Sequence, residues 1–226
     1  MADGKRIMIV GNGEIAQAAA AVIDASDRVI RFNDCPSFGG NGGSRTDVLA
    51  VCNTGRPAAA MLTSEDWMRS RPVQDCSEIW CVRDPGKFAA MRESLRQTHP
   101  ALDDFCDDYT SGFSALAADA GKLFYVIPTS VHDRLDRELD AHDAGHYVSP
   151  SSGVMVIAHV LSAERFRGWD VQIAGFGHAG WEHHPFEAER LLVDAWVREG
   201  RLVRVGDDVA DDNLPLNVPD GDGGGL

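Results

Sequence analysis

Short apolar runs of β type alternate along this chain with segments of helical periodicity, a pattern that points to a doubly wound α/β sheet. The runs are KRIMIVG, DRVIRF, TDVLAVCN, SEIWCVRD, KLFYVIP, WDVQIAGF and the closing RLVRVG. Between them AQAAAAVIDA, residues 57–70, PGKFAAMRESLRQ, TSVHDRLDRELDAH and PFEAERLLVDAWVREG read as helices, with residues 101–121 as a further helical stretch. Proline opens PGKFAAMRESLRQ at its first turn, and Thr129 or Ser130 is expected to cap the helix that follows KLFYVIP. The expected fold is Rossmann-like: a doubly wound, mostly parallel sheet with helices on both faces, in one domain over residues 1–206. Asp, Gly and Pro dominate from Asp207, so residues 207–226 are expected to form a disordered acidic tail. With 226 residues and 44% apolar content the chain can bury a full core.

A formal charge of −14 argues against a general nucleic-acid binder, because phosphate backbones are neutralised by Lys and Arg clusters. An anionic ligand must therefore be met locally. No apolar run reaches the roughly 20 residues that span a bilayer, and MADGKR leads straight into a strand, so a soluble cytoplasmic protein is expected. The five cysteines, Cys35, Cys52, Cys76, Cys81 and Cys106, are odd in number and lack paired metal-ligand spacing, which suits reduced, buried thiols. His132, His142 and His146 lie on or after a polar helix and are expected at the surface. No metal is expected: the side chains of adjacent His183 and His184 diverge, and no third ligand has recognisable spacing.

The chemistry concentrates between Ser149 and Glu189. Ser151, Ser152 and Gly153 open an apolar helix whose free N–H groups and positive dipole end attract an anion. The strand WDVQIAGF then ends in glycines, Gly175 and Gly177, and His183 and His184 follow closely enough to stand beside that anion. A second motif lies near the N-terminus: Gly11-x-Gly13-x-x-Ala16, after a strand and before a helix, has the form of a dinucleotide fingerprint. Asp34, at the end of the second strand, is the carboxylate that reading would assign to a ribose hydroxyl.

Taken together, the motifs resemble those of the sialyltransferase group of glycosyltransferases. The large motif of that group has a V-G-N turn, a helix, a V-x-R-x-N strand and a glycine-rich loop ending in a basic residue and Thr. Here IVGNG, VIDASDRVIRFND and GGNGGSRTDVLAVCN follow in that order. SPSSGVMVIAHVL and VQIAGFG match the small motif, and His184 and Glu189 have the spacing of its H-x4-E motif. The resemblance implies that Asn12, within the Gly11–Gly13 turn, and Asn33, at the end of the second strand, hold the nucleotide phosphate and ribose. It implies that Ser151, Ser152 and Gly153 bind the donor while Gly175 and Gly177 line the nucleoside. His184 is then similar to the base that deprotonates the acceptor, His183 to a donor toward the leaving phosphate, and Glu189 to a residue that orients the site or starts the next helix.

The implied reaction is inverting transfer of an acidic sugar, of the sialic acid or Kdo type, from a CMP-activated donor to a glycan or small-molecule acceptor, with no tightly bound cofactor. Two other readings stay open: a nucleotide-binding accessory protein that keeps the CMP cradle without transfer, and an NAD(P)-dependent oxidoreductase. The overall pattern is also similar to small bacterial proteins labelled as urease operon accessory proteins. That label carries no chemistry, and the histidines here are scattered rather than tracted as in a nickel chaperone.

Overall fold

A computed structural model describes residues 4–206, and each apolar run named above supplies a strand there. The strands are β1 (Arg6–Val10), β2 (Arg28–Phe32), β3 (Val48–Val51), β4 (Glu78–Cys81), β5 (Leu123–Val126), β6 (Asp170–Ala174) and β7 (Val203–Arg204). They form a seven-stranded sheet in the order β5-β4-β3-β2-β1-β6-β7, and every pairing is parallel. From β1 the chain lays down β2 to β5 on one side, then returns past β1 to add β6 and β7 on the other. The strand order thus reverses between β1 and β6, and the carboxyl ends of those two strands open a crevice of the kind in which α/β sheets bind ligands.

The helices are α1 (Ala19–Asp24), α2 (Gly55–Thr63), α3 (Glu65–Arg69), α4 (Arg71–Asp75), α5 (Pro85–Thr98), α6 (Thr110–Asp119), α7 (Thr129–Asp140), α8 (Ser152–Ser162) and α9 (Phe186–Arg198). Strand side chains alternate between the two faces. Ile7, Ile9, Ile30, Phe32 and Trp80 meet Leu135 and Leu139 of α7, Val156 and Val160 of α8, and Leu192 and Trp196 of α9. On the other face Met8, Val10 and Val29 pack on α1, while Leu49, Val51 and Ile79 meet Ala58, Met61, Trp67 and Phe113 from α2, α3 and α6. Ile7, Ile9, Ile30 and Ile79 are fully buried, each contributing about 1.5–3 kcal/mol from removal of apolar surface from water.

Several expectations are corrected. α1 starts at Ala19 rather than at the beginning of AQAAAAVIDA, and its N-cap residue Ala18 offers no side-chain acceptor. An alanine run has high helix propensity but no punctuation, so its sequence does not mark the start. The helix over 57–70 breaks at Ser64, whose hydroxyl accepts from the Trp67 N–H and begins α3. Of residues 101–121 only Thr110–Asp119 is α-helical. α7 is capped by neither Thr129 nor Ser130: its N-cap is Pro128, in extended conformation and without a side-chain bond.

His132 is not a surface residue. It is 2% exposed, because it falls on the stripe of Val131, Leu135 and Leu139 that α7 turns inward, with its ring edge-on to Phe88. The proline start of α5 is found, with Asp84 Oδ1 accepting from Lys87 N–H at 2.9 Å. All five cysteines are free and buried. Among the described residues no helix is long and apolar enough to cross a membrane. The acidic tail expected over 207–226 lies outside the described residues.

Candidate functional site

At the switch point the backbones of two loops touch. Gly11 N–H donates to Ala174 O at 2.8 Å and Gly13 N–H to Gly175 O at 2.9 Å, so the parallel ladder of β1 and β6 runs on past both strands. A Cβ on Gly11 would stand 2.3 Å from Gly175 O, and one on Gly13 2.8 Å from the same atom. Gly175 itself has φ +72°, a region open to glycine. Gly11→Ala is therefore expected to lower stability by about 1–3 kcal/mol, since the clash is with backbone that has no rotamer escape. Gly177→Ala, whose methyl meets nothing within 4 Å, should leave stability unchanged. Denaturant unfolding of the two variants checks this contrast.

These loops floor a cavity of about 490 Å³. Gly11, Asn12, Gly13, Asn33, Ser151, Ser152, Gly153, Gly175, Gly177, His184 and Glu189 all line it. Asn33 sits just past β2 with φ 52°, a left-handed conformation that asparagine tolerates. Its Oδ1 accepts the Cys52 N–H at 2.8 Å, which turns its amide NH₂ into the remaining donor. Upstream, the buried Arg31 guanidinium donates to the carbonyls of Gly42, Gly43 and Arg45 and pins the glycine-rich loop to β2. This is a structural use for the arginine of the V-x-R-x-N pattern.

The start of α8 faces the same cavity. Ser151 is its N-cap, with Oγ accepting from Val154 N–H at 3.3 Å. The N–H and hydroxyl of Ser151 are both taken by Glu189, at 2.6 Å each, and Glu189 is 1% exposed in the first turns of α9. Burial raises the Glu189 pKa above the usual carboxylate value, while the two bonds from Ser151 oppose the rise. The amides of Ser152 and Gly153 have no partner in the helix and are the donors left at its positive end. Gly153 also lets the Phe176 ring lie against the helix start, where a Cβ would stand 2.7 Å from it.

His184 enters from the loop before α9. Its Nδ1 lies 2.6 Å from Ser149 O. A carbonyl only accepts, so Nδ1 carries the proton and Nε2 is the free basic nitrogen. Burial is the largest cause lowering the His184 pKa, with Arg83 and His183 adding to it and the Ser149 bond opposing. His184 and Glu189 thus both grip the segment 149–151, which makes the H-x4-E pair and the Ser-rich helix start one physical unit. His183 is not brought to this cavity: its ring stands edge-on to Trp181 at 4.9 Å and to His99 at 5.0 Å.

A second cavity, of about 430 Å³, adjoins the first and shares Asn33, Ser152, Trp181 and His184 with it. Its other walls come from Cys52 to Pro57, Arg83, Leu102, Asp104 and Phe105, and the Phe105 and Trp181 rings stack there at 5.3 Å. None of Thr54, Arg83 or Phe105 is marked by a sequence motif. The one available signal was the charge of Arg83 at the carboxyl end of an apolar strand, where α/β sheets place ligand groups. Asp34, the carboxylate of the dinucleotide reading, is exposed and is not among the residues lining the first cavity.

The chain is 54% identical over 205 residues to the urease operon 23 kDa accessory protein of Rhizobium meliloti (strain 1021), a match spanning 91% of this chain and 94% of that protein. Among solved structures it is similar to the α-2,3-sialyltransferase from Campylobacter jejuni, with a TM-score of 0.52 and 14% identity over 96% of this chain and 82% of the other. A mammalian sialyltransferase gives a TM-score of 0.51 and 16% identity over 90% and 69% of the two chains. At these identities the likeness to the solved structures is one of fold. No family model matches the sequence.

Proposed function

The chain belongs to the family of the urease operon 23 kDa accessory protein, and from the cleft it carries we propose that it is an inverting glycosyltransferase. It moves an acidic sugar of the sialic acid or Kdo type from a CMP-activated donor to an acceptor. One observation carries the reading: the free amides of the α8 start and a neutral imidazole with its Nδ1 already committed meet in one cavity at the switch point. The amides of Ser152 and Gly153 and the amide group of Asn33 supply donors to the nucleotide phosphate without adding charge. His184 Nε2 takes the proton of the acceptor hydroxyl as its oxygen attacks the anomeric carbon. The bond from that carbon to the phosphate oxygen breaks, and CMP leaves with the electron pair. The helix dipole favours the negative charge that grows on the departing phosphate. Glu189, bound to Ser151, is a positioning residue here rather than a proton carrier.

The dinucleotide alternative is less well supported by this geometry. Its fingerprint needs a helix opening at the glycines, but α1 begins at Ala19, beyond Gly13 by more than a helical turn. The test is thermal stabilisation by CMP, UMP, AMP and NAD(P), followed by CMP release from a CMP-sugar. A ligand at 100 times its Kd adds about 2.7 kcal/mol to the folded state, visible as a rise in Tm. Selective stabilisation by CMP together with CMP release is the expected result. Stabilisation by CMP without release makes the chain a nucleotide-binding accessory protein, and a response to NAD(P) alone overturns the proposal.

A further inference from the structure

We propose that the second cavity is an anion subsite in which Arg83, held by the Thr54 hydroxyl, binds a carboxylate or phosphate group of a small molecule. The observation behind it is a buried cation without an anion. Arg83 is 8% exposed and forms no ion pair among the described residues. Its Nη1 donates to the buried Thr54 hydroxyl, and its guanidinium lies 4.4 Å from the centroid of the Phe105 ring and 5.1 Å from that of Phe88. One hydroxyl and two ring faces satisfy only part of a group that carries five N–H donors. A guanidinium does not shed its proton to escape burial, so an anion is what relieves it. The carboxylates nearby are engaged elsewhere: Asp104 with Arg56 at 2.6 Å and Asp107 with Arg92 at 2.8 Å.

The placement of Arg83 is fixed by its backbone. Fully buried Asn53 donates from Nδ2 to Arg83 O at 2.9 Å and accepts the Arg83 N–H at 2.8 Å, which stitches the end of β3 to the end of β4. The side chain therefore reaches the cavity from a rigid strand end. That cavity opens onto His184 and Ser152, so a molecule whose anion is held by Arg83 lies beside the same imidazole. The inference stands apart from the CMP reading, because it follows from the unmet charge alone. Assignment of the anion to the donor sugar or to the acceptor rests on the proposed transferase function, and the test separates these sources.

Titration calorimetry on wild type, Arg83→Met and Thr54→Val decides it, with CMP-N-acetylneuraminate, CMP, inorganic phosphate and free N-acetylneuraminate as probes. If Arg83 reads the donor, wild type binds CMP-N-acetylneuraminate about tenfold tighter than CMP, and R83M erases that difference. If it reads the acceptor, the difference survives in R83M. In that case phosphate or N-acetylneuraminate, with CMP present or absent, binds wild type about tenfold tighter than R83M, and T54V falls between. Methionine keeps most of the packing against Phe105. Should R83M fail to fold, Arg83→Lys, which keeps the charge without the planar fork, is expected to show the same loss. Equal binding of every anion to wild type and folded variants overturns the subsite. A protein that ignores CMP yet holds phosphate through Arg83 refutes the nucleotide proposal and leaves the subsite standing.

Discussion

Replacing His184 by alanine is expected to lower turnover of a CMP-sugar about a hundredfold to ten-thousandfold, the range for loss of a general base, while CMP affinity stays within about twofold. The separation follows from where the groups sit. His184 stands where the two cavities join, whereas the donors assigned to the nucleotide belong to Asn33 and the start of α8. The variant loses one hydrogen bond to Ser149 O and leaves Glu189 in place on Ser151. His183→Ala is the matched control and should stay near wild type, because that ring is directed at Trp181 and His99. CMP release measured with acceptor and with water alone, beside calorimetry of CMP, checks both variants. Equal losses in the two would overturn the assignment of His184 as the base. The pH profile gives a second readout. Since burial depresses the His184 pKa, the base stays neutral below its ordinary value near 6.5, and the acid limb of kcat/KM should lie on the acid side of that value.

His159→Phe is expected to flatten the acid side of the stability curve by about 3 kcal/mol. His159 lies within α8 at 3% exposure, with its ring against Trp80 and Tyr125, and neither ring nitrogen has a hydrogen bond. Burial first, and the neighbouring Arg165 second, push its pKa from 6.5 to about 4. A depressed folded-state pKa means that the unfolded chain binds a proton the folded chain refuses. Full stability is therefore present above the unfolded value near 6.5 and is lost as pH falls toward about 4. Across that window one group accounts for about 3 kcal/mol at 1.36 kcal/mol per pH unit. Phenylalanine keeps the ring packing and removes the titration. Urea unfolding at pH 7, 5.5 and 4.5 tests the effect, and wild-type and variant curves that stay parallel would place the acid sensitivity elsewhere. His132, His178 and His184 have pKa values shifted the same way, mainly by burial, so some acid dependence remains in the variant.

Much of the sheet was legible because its signals are local. Apolar runs such as KRIMIVG and SEIWCVRD report burial directly, and Pro85 reports a helix start because its fixed φ and missing N–H suit the first turn. The glycines at 11 and 13 were legible as a motif but not as a cause: what fixes them is the carbonyl of Gly175, more than 160 residues away. In the same way the H-x4-E spacing was visible, but the grip of both residues on 149–151 was not, because neither partner is encoded near the other. The second cavity was silent for a stronger reason. Its walls come from six separate stretches, 33, 52–57, 83, 102–105, 152 and 181–184, and only the topology brings them together. His132 was misplaced since a helix rich in charge hides a narrow inward stripe, and one imidazole within it reads as polar until the neighbours are known.

The first cavity has neither lysine nor arginine among its lining residues, while the chain carries a formal charge of −14. Under the proposed function, an anion entering there would be repelled by the protein at long range and held at short range by the fixed dipoles of the helix start. Dissolved salt acts on these two terms unequally. At about 0.15 M it screens charges beyond roughly 8 Å, so it weakens the repulsion on approach and leaves the contacts with amides at the helix start almost untouched. On that reading, rising ionic strength is expected to speed capture of an anion here without loosening its hold, the reverse of its effect on a protein that grips phosphate with a field of lysines.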